Sequence, residues 1–133
     1  MNAGVMGFPS QRIRRYESDP QPIDTTNGNT FPHGLDASPG HVEVRLVCFT
    51  PNNNYHVGEE IPLSNLWRNA GGENDGAPSW LVRITGAAVF VKLATDTISF
   101  FDPTAAVTNA NAVTFTASQW RVKVYASNVY PLA

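Results

Sequence analysis

The sequence has a single cysteine and few charged residues. Cys48 is the only cysteine among 133 residues, so an intrachain disulfide framework is excluded. A lone thiol in an apolar stretch is typical of a core residue in a protein made in a reducing cytoplasm. Charged side chains make up 15% of the chain, below the roughly 25% typical of soluble domains. A surface rich in Asn, Thr, Ser and Gln suits a protein that packs beside copies of itself or on a larger body.

The chain also lacks a broad basic surface and a long apolar run. Its formal net charge of −2 argues against a nucleic-acid partner, because phosphate binding requires many Lys and Arg side chains on one face. The only basic cluster, Arg12, Arg14 and Arg15, is typical of a solvated or intersubunit charge patch. No stretch approaches the ~20 apolar residues of a membrane span. We therefore expect neither a nucleic-acid nor a membrane partner.

No residue spacing typical of a catalytic or metal site is present. The three histidines lie on separate segments, so a zinc site would require the fold to bring them together. His33 is predicted to be a turn residue that bonds nearby backbone. Glu59 and Glu60 are adjacent, and on a strand they would point to opposite faces rather than act as a paired acid and base. We expect no enzymatic activity, no cofactor and no metal.

Residues 1–29 are predicted to form an extended arm. They contain Pro9, Pro20 and Pro22 and show no sustained period of 2 or 3.6. Their apolar side chains are too scattered for a core yet too numerous for a solvated linker. The arm therefore either folds back on its own domain or is held by neighbouring chains. The side chains predicted to anchor it are Val5, Phe8, Arg12, Ile13, Arg14, Arg15 and Tyr16.

Residues 30–133 are predicted to form an all-β domain, an antiparallel β-sandwich of about seven to eight strands. Short alternating runs separated by turn residues are typical of this fold. The clearest runs cover residues 41–50 and 120–126, in which every second residue is apolar. The Pro-Asn-Asn-Asn stretch at 51–54 predicts a turn, and residues 63–67 predict a helical turn. Further strands are predicted at 55–57, 60–61, 79–85, 87–93, 98–101 and 113–116.

A glycine-containing loop is predicted at residues 68–78, and long loops of small β domains often carry function. Aromatic rings beside polar loops are surfaces on which sugar rings stack. The two tryptophans that flank this loop also suit core positions, and the acidic stretch within it lacks the regular ligand spacing of a calcium loop. The candidate ligand-binding residues are Trp67, Arg68, Glu73, Asn74, Asp75 and Trp80.

Three stretches of the β domain resemble, in order, a module of tailed-bacteriophage virion proteins. They are FPHGLDASP at 31–39 leading into VEVRLVC at 42–48, YHVGEEI at 55–61, and FTASQWRVKVY at 115–125. Small β-sandwich modules of tail fibres, head fibres and decoration proteins have a similar front half and a similar closing Trp-Arg strand. The front half is also distantly similar to the H-type lectin sandwich, from which no sugar-binding residue can be carried over.

The resemblance implies a homo-oligomer, most often a trimer, attached to a phage particle. Because about thirty irregular residues precede the β domain, we expect a compact subunit clamped by its arm to the capsid, portal or tail rather than a host-contacting fibre. The first hypothesis is thus a non-enzymatic structural protein located in the virion. The alternative is a receptor- or glycan-binding module of a phage fibre, with a host-surface glycan as partner. A cellular oligomeric scaffold is a third interpretation.

Overall fold

Strands form most of the regular structure in the computed structural model, which describes residues 11–69, 76, 78–95 and 97–131. They are β1 Gln11–Glu17, β2 Gln21–Pro22, β3 Asn29–Pro32, β4 His41–Cys48, β5 Glu60–Pro62, β6 Trp67–Arg68, β7 Trp80–Ile84, β8 Ala88–Leu93, β9 Ile98–Phe101, β10 Ala112–Thr114 and β11 Trp120–Pro131. Single 3-10 turns lie at Leu63–Asn65, Asn109–Asn111 and Ala117–Gln119. The predicted all-β class is confirmed.

Strands β4 and β11 form the centre of a five-stranded sheet, here called the main sheet. Its order is β1-β11-β4-β5, and β2 also pairs with β11. The antiparallel register of β4 and β11 runs from Trp120 opposite Cys48 to Ser127 opposite His41. Both strands alternate in side-chain polarity, so the apolar set of each strand faces the same side of the sheet. The predicted inner faces of both strands are confirmed by their burial.

The opposing layer consists of two antiparallel three-stranded sheets, β3-β8-β7 and β10-β9-β6. Their buried side chains join those of the main sheet in one hydrophobic cluster. Packing of two apolar sheet faces is the stable solution for strands that alternate in polarity. The cluster includes Phe31, Val44, Leu46, Cys48, Val89, Val91, Phe100, Phe115, Trp120, Val122 and Val124. The domain is thus an antiparallel β-sandwich.

The segment between β4 and β5 agrees with the sequence predictions in part. Asn53 and Asn54 adopt positive φ values of 50° and 69°, as expected of asparagines in a tight turn. The strand predicted at 55–57 is reduced to one bridge between Asn52 and Tyr55. A 3-10 turn is present within the predicted helical turn, which ends where Trp67 enters β6.

The first described residues form a strand of the main sheet. They are therefore part of the β domain and do not form a separate arm. β1 pairs with β11 from Gln11 opposite Pro131 to Glu17 opposite Tyr125. β11 is twelve residues long, so it offers β1 and β2 a full edge on the side away from β4. Residues 11–22 therefore fold back on their own domain, the first of the two arrangements considered for the arm.

Candidate assembly and ligand-binding surfaces

The first candidate surface is the open edge of β1. No strand in the described part of the chain pairs with its outer side. The Ser18 N–H donates to the Val124 carbonyl across the sheet, and residues of an antiparallel strand alternate in the direction of their backbone hydrogen bonds. The even-numbered residues of β1 therefore bond to β11. Ile13, Arg15 and Glu17 direct their N–H and C=O groups away from the sheet, toward a position that a further strand could occupy.

Two of the predicted anchor residues stabilise the domain itself. Tyr16 packs against the hydrophobic core. Arg14 Nη1 lies 2.8 Å from Asp36 Oδ2, and Arg14 Nη2 donates to the Gly34 carbonyl at 3.0 Å. Both side chains thus hold β1 onto the chain's own loop and core. Outside the described residues lie two further predicted anchors, Val5 and Phe8.

Other predicted anchors are exposed beside the open edge. Ile13 faces Val129 across β1 and β11, and each side chain is 52% exposed. Arg12 and Arg15 are also exposed on this strand. Arginine and apolar side chains together are typical of protein contact surfaces. The edge of β1 therefore combines backbone groups that no described strand pairs with, an apolar pair and positive charge.

The outer face of the main sheet carries ionic contacts that cross four strands. Lys123 Nζ lies 3.0 Å from Glu17 Oε2, and this contact raises the pKa of the lysine. The Tyr125 hydroxyl donates to Glu60 Oε1 at 2.7 Å, and Arg45 Nη1 lies 3.6 Å from the same oxygen. In each of the two ion pairs one partner is open to solvent, Glu17 at 62% and Arg45 at 40% exposure, and solvent-screened pairs contribute little stability individually. Their effect is to fix the orientation of side chains beside β1.

The two tryptophans of the predicted ligand loop have different surroundings. Trp80 packs against the core, in agreement with the predicted alternation of β7. Trp67 contacts Phe101 instead, with ring centroids 4.7 Å apart. Arg68 lies opposite Ile98 in the pairing of β6 with β9. Trp67 and Trp80 line different clefts, and the predicted Glu73, Asn74 and Asp75 lie outside the described residues.

The second candidate surface is a cleft of about 440 Å³ beside Trp67. Its aromatic side is built from Trp67, Phe101 and Tyr55. The Tyr55 hydroxyl donates to the Phe101 carbonyl at 2.7 Å, and the Tyr55 ring stacks on Phe100 with centroids 5.2 Å apart. These contacts fix the tyrosine at the edge of the core. We call this site the Trp67 cleft.

Asp102 supplies the charged group of the Trp67 cleft. Its Oδ1 accepts hydrogen bonds from the Thr104 hydroxyl at 2.7 Å and from the Thr104 backbone N–H at 2.8 Å. Its Oδ2 accepts a hydrogen bond from Asn54 Nδ2, also at 2.7 Å. These hydrogen bonds, those from Thr104 first, hold the pKa of Asp102 below its ordinary value. The carboxylate is therefore charged at neutral pH and fixed in position.

Sequence reasoning identified Trp67 but missed the other walls of this cleft. The sequence predicts a strand at 55–57, which includes Tyr55, and it places Asp102 between two predicted strands without a role. The Asp-Pro-Thr sequence at 102–104 is a signal for a turn in which the aspartate bonds backbone two residues on, and that bond is present. This signal locates a rigid loop, but not its contact with Asn54, which is 48 residues away in the chain.

The fold does not bring the three histidines together into one metal or catalytic site. His33 is buried; its Nδ1 accepts from the Leu35 N–H at 3.0 Å, which leaves Nε2 to donate to the Thr85 carbonyl at 2.9 Å. Its predicted bond to nearby backbone is confirmed by the contact with Leu35. Within the described ranges, no group of three or more His, Cys, Asp or Glu side chains could hold a metal ion. In those ranges, no helix is long and apolar enough to span a membrane.

Cys48 has the environment of a core thiol. It is 1% exposed, its Sγ–H donates to the Thr50 carbonyl at 3.2 Å, and burial raises its pKa. Because the thiolate is the reactive form, we expect iodoacetamide to modify the native protein at least about 100-fold more slowly than the urea-unfolded protein. Mass spectrometry of timed reactions measures both rates. Equal rates would contradict the buried environment.

Three comparisons with known proteins give no assignment. No protein-family model matches the chain, and no curated protein or solved structure matches it significantly. Function is therefore inferred from the open edge of β1, from the Trp67 cleft and from the sequence resemblance to phage virion modules.

Proposed function

We propose that this protein is a non-enzymatic structural subunit of a tailed-phage virion, attached to capsid, portal or tail subunits through its N-terminal segment. The observation that carries the proposal is the open edge of β1, with outward backbone groups at Ile13, Arg15 and Glu17. An exposed strand edge binds a partner strand by main-chain hydrogen bonds. The exposed pair of Ile13 and Val129 adds apolar contact area beside it.

The positive charge of β1 limits which partner strand its edge can bind. In an antiparallel contact between two copies of β1, each strand would bring three arginines and one glutamate, a net positive charge on both sides. Like charges on neighbouring strands are destabilising, so the partner strand is neutral or acidic. A contact between two different surfaces does not form a two-fold dimer, and it forms a closed ring when the rotation between neighbouring copies closes. We therefore propose a homo-oligomer, first of all a trimer, or a contact with another virion protein.

Substitution of Arg15 by proline tests the open edge. The N–H of this residue points away from β11, a position at which an edge strand tolerates proline. We expect Arg15→Pro to leave the domain folded and to lower incorporation into particles about tenfold, because one main-chain hydrogen bond is lost and the partner strand is obstructed. The measurement is the ratio of this subunit to the major capsid protein in purified particles.

Arg15→Ala is the matched control, since it removes the charge and keeps the backbone N–H. We expect it to reduce incorporation less than Arg15→Pro does. Circular dichroism of both purified variants checks that the domain is folded. If the proline variant enters particles as well as the alanine variant and the unchanged protein, β1 is not an attachment edge.

A second candidate function, a glycan- or receptor-binding module, is supported by the Trp67 cleft. Aromatic rings and a fixed carboxylate meet there in a concave site, a combination typical of small-ligand binding. This location differs from the ligand loop predicted from the sequence. Of the two tryptophans that flank that loop, Trp80 packs against the core and Trp67 lines this cleft. Both functions can coexist in one subunit, since the edge of β1 and the cleft involve different strands.

A further inference from the structure

We propose that the Trp67 cleft binds the pyranose ring of a neutral saccharide, with Trp67 as the stacking surface and Asp102 as the acceptor of a sugar hydroxyl. The inference rests on the glycan-binding function proposed above for this cleft, and it is independent of the virion role because none of the residues involved belongs to β1. It rests on four features of the cleft: its aromatic wall, its polar side chains, its charge and its size.

Two rings of the aromatic wall lie outside the hydrophobic core cluster. Trp67 and Phe101 are partly buried side chains that pack on each other. Trp120 and Phe100, by contrast, are almost fully buried within the core cluster. A large aromatic ring beside an open cleft retains apolar area that a ligand can cover. The C–H face of a pyranose ring is a flat apolar surface of matching shape.

Polar groups are placed around this wall. Asp102 accepts three hydrogen bonds from Thr104 and Asn54, and a carboxylate has about four acceptor positions. One position is therefore left for a ligand hydroxyl. Ser64 and Asn65 also line the cleft; both are exposed, and neither side chain has a hydrogen-bond partner in the described part of the chain. Their hydroxyl and amide groups can each donate and accept.

The charge of the cleft selects among ligands. Among the described residues that line it, none is Lys, Arg or His, and Asp102 is the charged one. Phosphorylated, sulfated or sialylated ligands would place a negative charge near this carboxylate without a cation to compensate. A hydroxyl-rich neutral ligand instead donates hydrogen bonds to the carboxylate, and hydrogen bonds to a charged group are the stronger ones. The chemistry therefore favours neutral sugars.

The size of the cleft agrees with this class of ligand. Its volume of about 440 Å³ lies in the lower half of the range for small-molecule sites, roughly 300–1,000 Å³. One or two sugar rings are the natural occupants of such a site. A single ring that stacks on one aromatic face and makes a few hydrogen bonds is expected to bind with a Kd near 1 mM, equivalent to about 4 kcal/mol.

The test is a titration of the ¹⁵N-labelled full chain, followed by NMR. The probes are methyl β-D-galactopyranoside, methyl β-D-glucopyranoside and N-acetyl-D-glucosamine, with N-acetylneuraminic acid as an anionic comparison. The chain has three tryptophans, so three indole N–H signals report on three locations. We expect at least one neutral sugar to shift the Trp67 signal while the Trp80 and Trp120 signals stay in place, and we expect the anionic sugar to bind at least about tenfold more weakly.

Two variants test whether the sugar binds in the Trp67 cleft. We expect Trp67→Leu to weaken the affinity more than about tenfold and Asn65→Ala to weaken it about threefold to tenfold. Asn65 is exposed and bonds to no other side chain in the described part of the chain, so its variant remains informative if the tryptophan variant does not fold. The proposal is overturned if no neutral probe shifts the Trp67 signal at tens of millimolar, if Asn65→Ala binds as tightly as the unchanged chain, or if the anionic sugar binds as well as the neutral ones.

Discussion

A chain that lacks residues 1–25 is expected to lose several kcal/mol of stability, because this deletion removes β1 and β2 from the main sheet. Tyr16 and Ile23 are packed against the core, and burial of two such side chains contributes roughly 2–5 kcal/mol. Ser18 is 5% exposed; its N–H donates to the Val124 carbonyl, and the Val124 N–H donates to its Oγ, both at 2.9 Å. Each lost bond costs about 1 kcal/mol.

These losses are large relative to the total free energy of unfolding. The free energy of unfolding of a domain is about 5–15 kcal/mol, so a deletion that costs about 5 kcal/mol leaves a marginal or unfolded protein. We expect the thermal midpoint to fall by about 15 °C or the folded signal to be absent. Thermal and urea unfolding, monitored by circular dichroism, measure the change.

The control is a chain that begins at Gln11, which keeps every strand described above. We expect this shorter deletion to fold. The two deletions also separate stability from attachment, because only the shorter one can report on particle incorporation with an intact sheet. Unchanged stability of the 1–25 deletion would mean that β1 and β2 are dispensable additions to the sandwich, as the predicted boundary at residue 29 implies.

The boundary was placed at residue 29 because β1 carries little local information. Among its described side chains, Tyr16 is the one that packs against the core cluster, and Ile13 faces outward beside arginines, so no apolar alternation marks the strand. An edge strand needs only backbone hydrogen bonds to one neighbour and a few buried side chains. Its partner β11 lies more than 100 residues further along the chain. Such a long-range pairing leaves no signal in the local sequence.

Central strands could be predicted because burial on one face imposes a period of 2. In β11, Trp120, Val122, Val124 and Ala126 are all nearly inaccessible to solvent, as their alternation indicates. The same period predicts the strand at 79–85, and Trp80, a candidate ligand-binding residue that also suits a core position, packs there against the core. Ile84 on the same face is 42% exposed, since β7 is an edge strand and its end is incompletely covered.

The Trp67 cleft could be predicted only in part, because it is assembled from three separated segments. Trp67 was identified from its position beside a loop. Tyr55 and Asp102 reach the same cleft through contacts that span 46 residues and 48 residues of sequence. A pattern in one segment cannot show which other segment lies against it. The fold, rather than any motif, creates this site.

Trp120→Ala is expected to cost about 4 kcal/mol of unfolding free energy, within the range typical of a tryptophan deleted from a core. The side chain is 1% exposed, and its ring lies within 5.3–5.8 Å of Tyr55, Phe100 and Phe115, measured between centroids. Its Nε1–H donates to Asn52 Oδ1 at 3.0 Å. The variant loses packing with three rings and leaves a partly buried amide oxygen without its donor.

Trp67→Ala is the matched control, because it removes the same side chain from a position that belongs to the cleft rather than to the core. We expect a cost of about 1 kcal/mol. Urea unfolding of both variants measures the difference, and an equal loss would show that Trp67 is a core residue. A small loss of unfolding free energy in Trp67→Ala bears on ligand binding. A large aromatic side chain that contributes little to stability retains surface for a ligand, so this comparison tests a condition that the saccharide proposal requires.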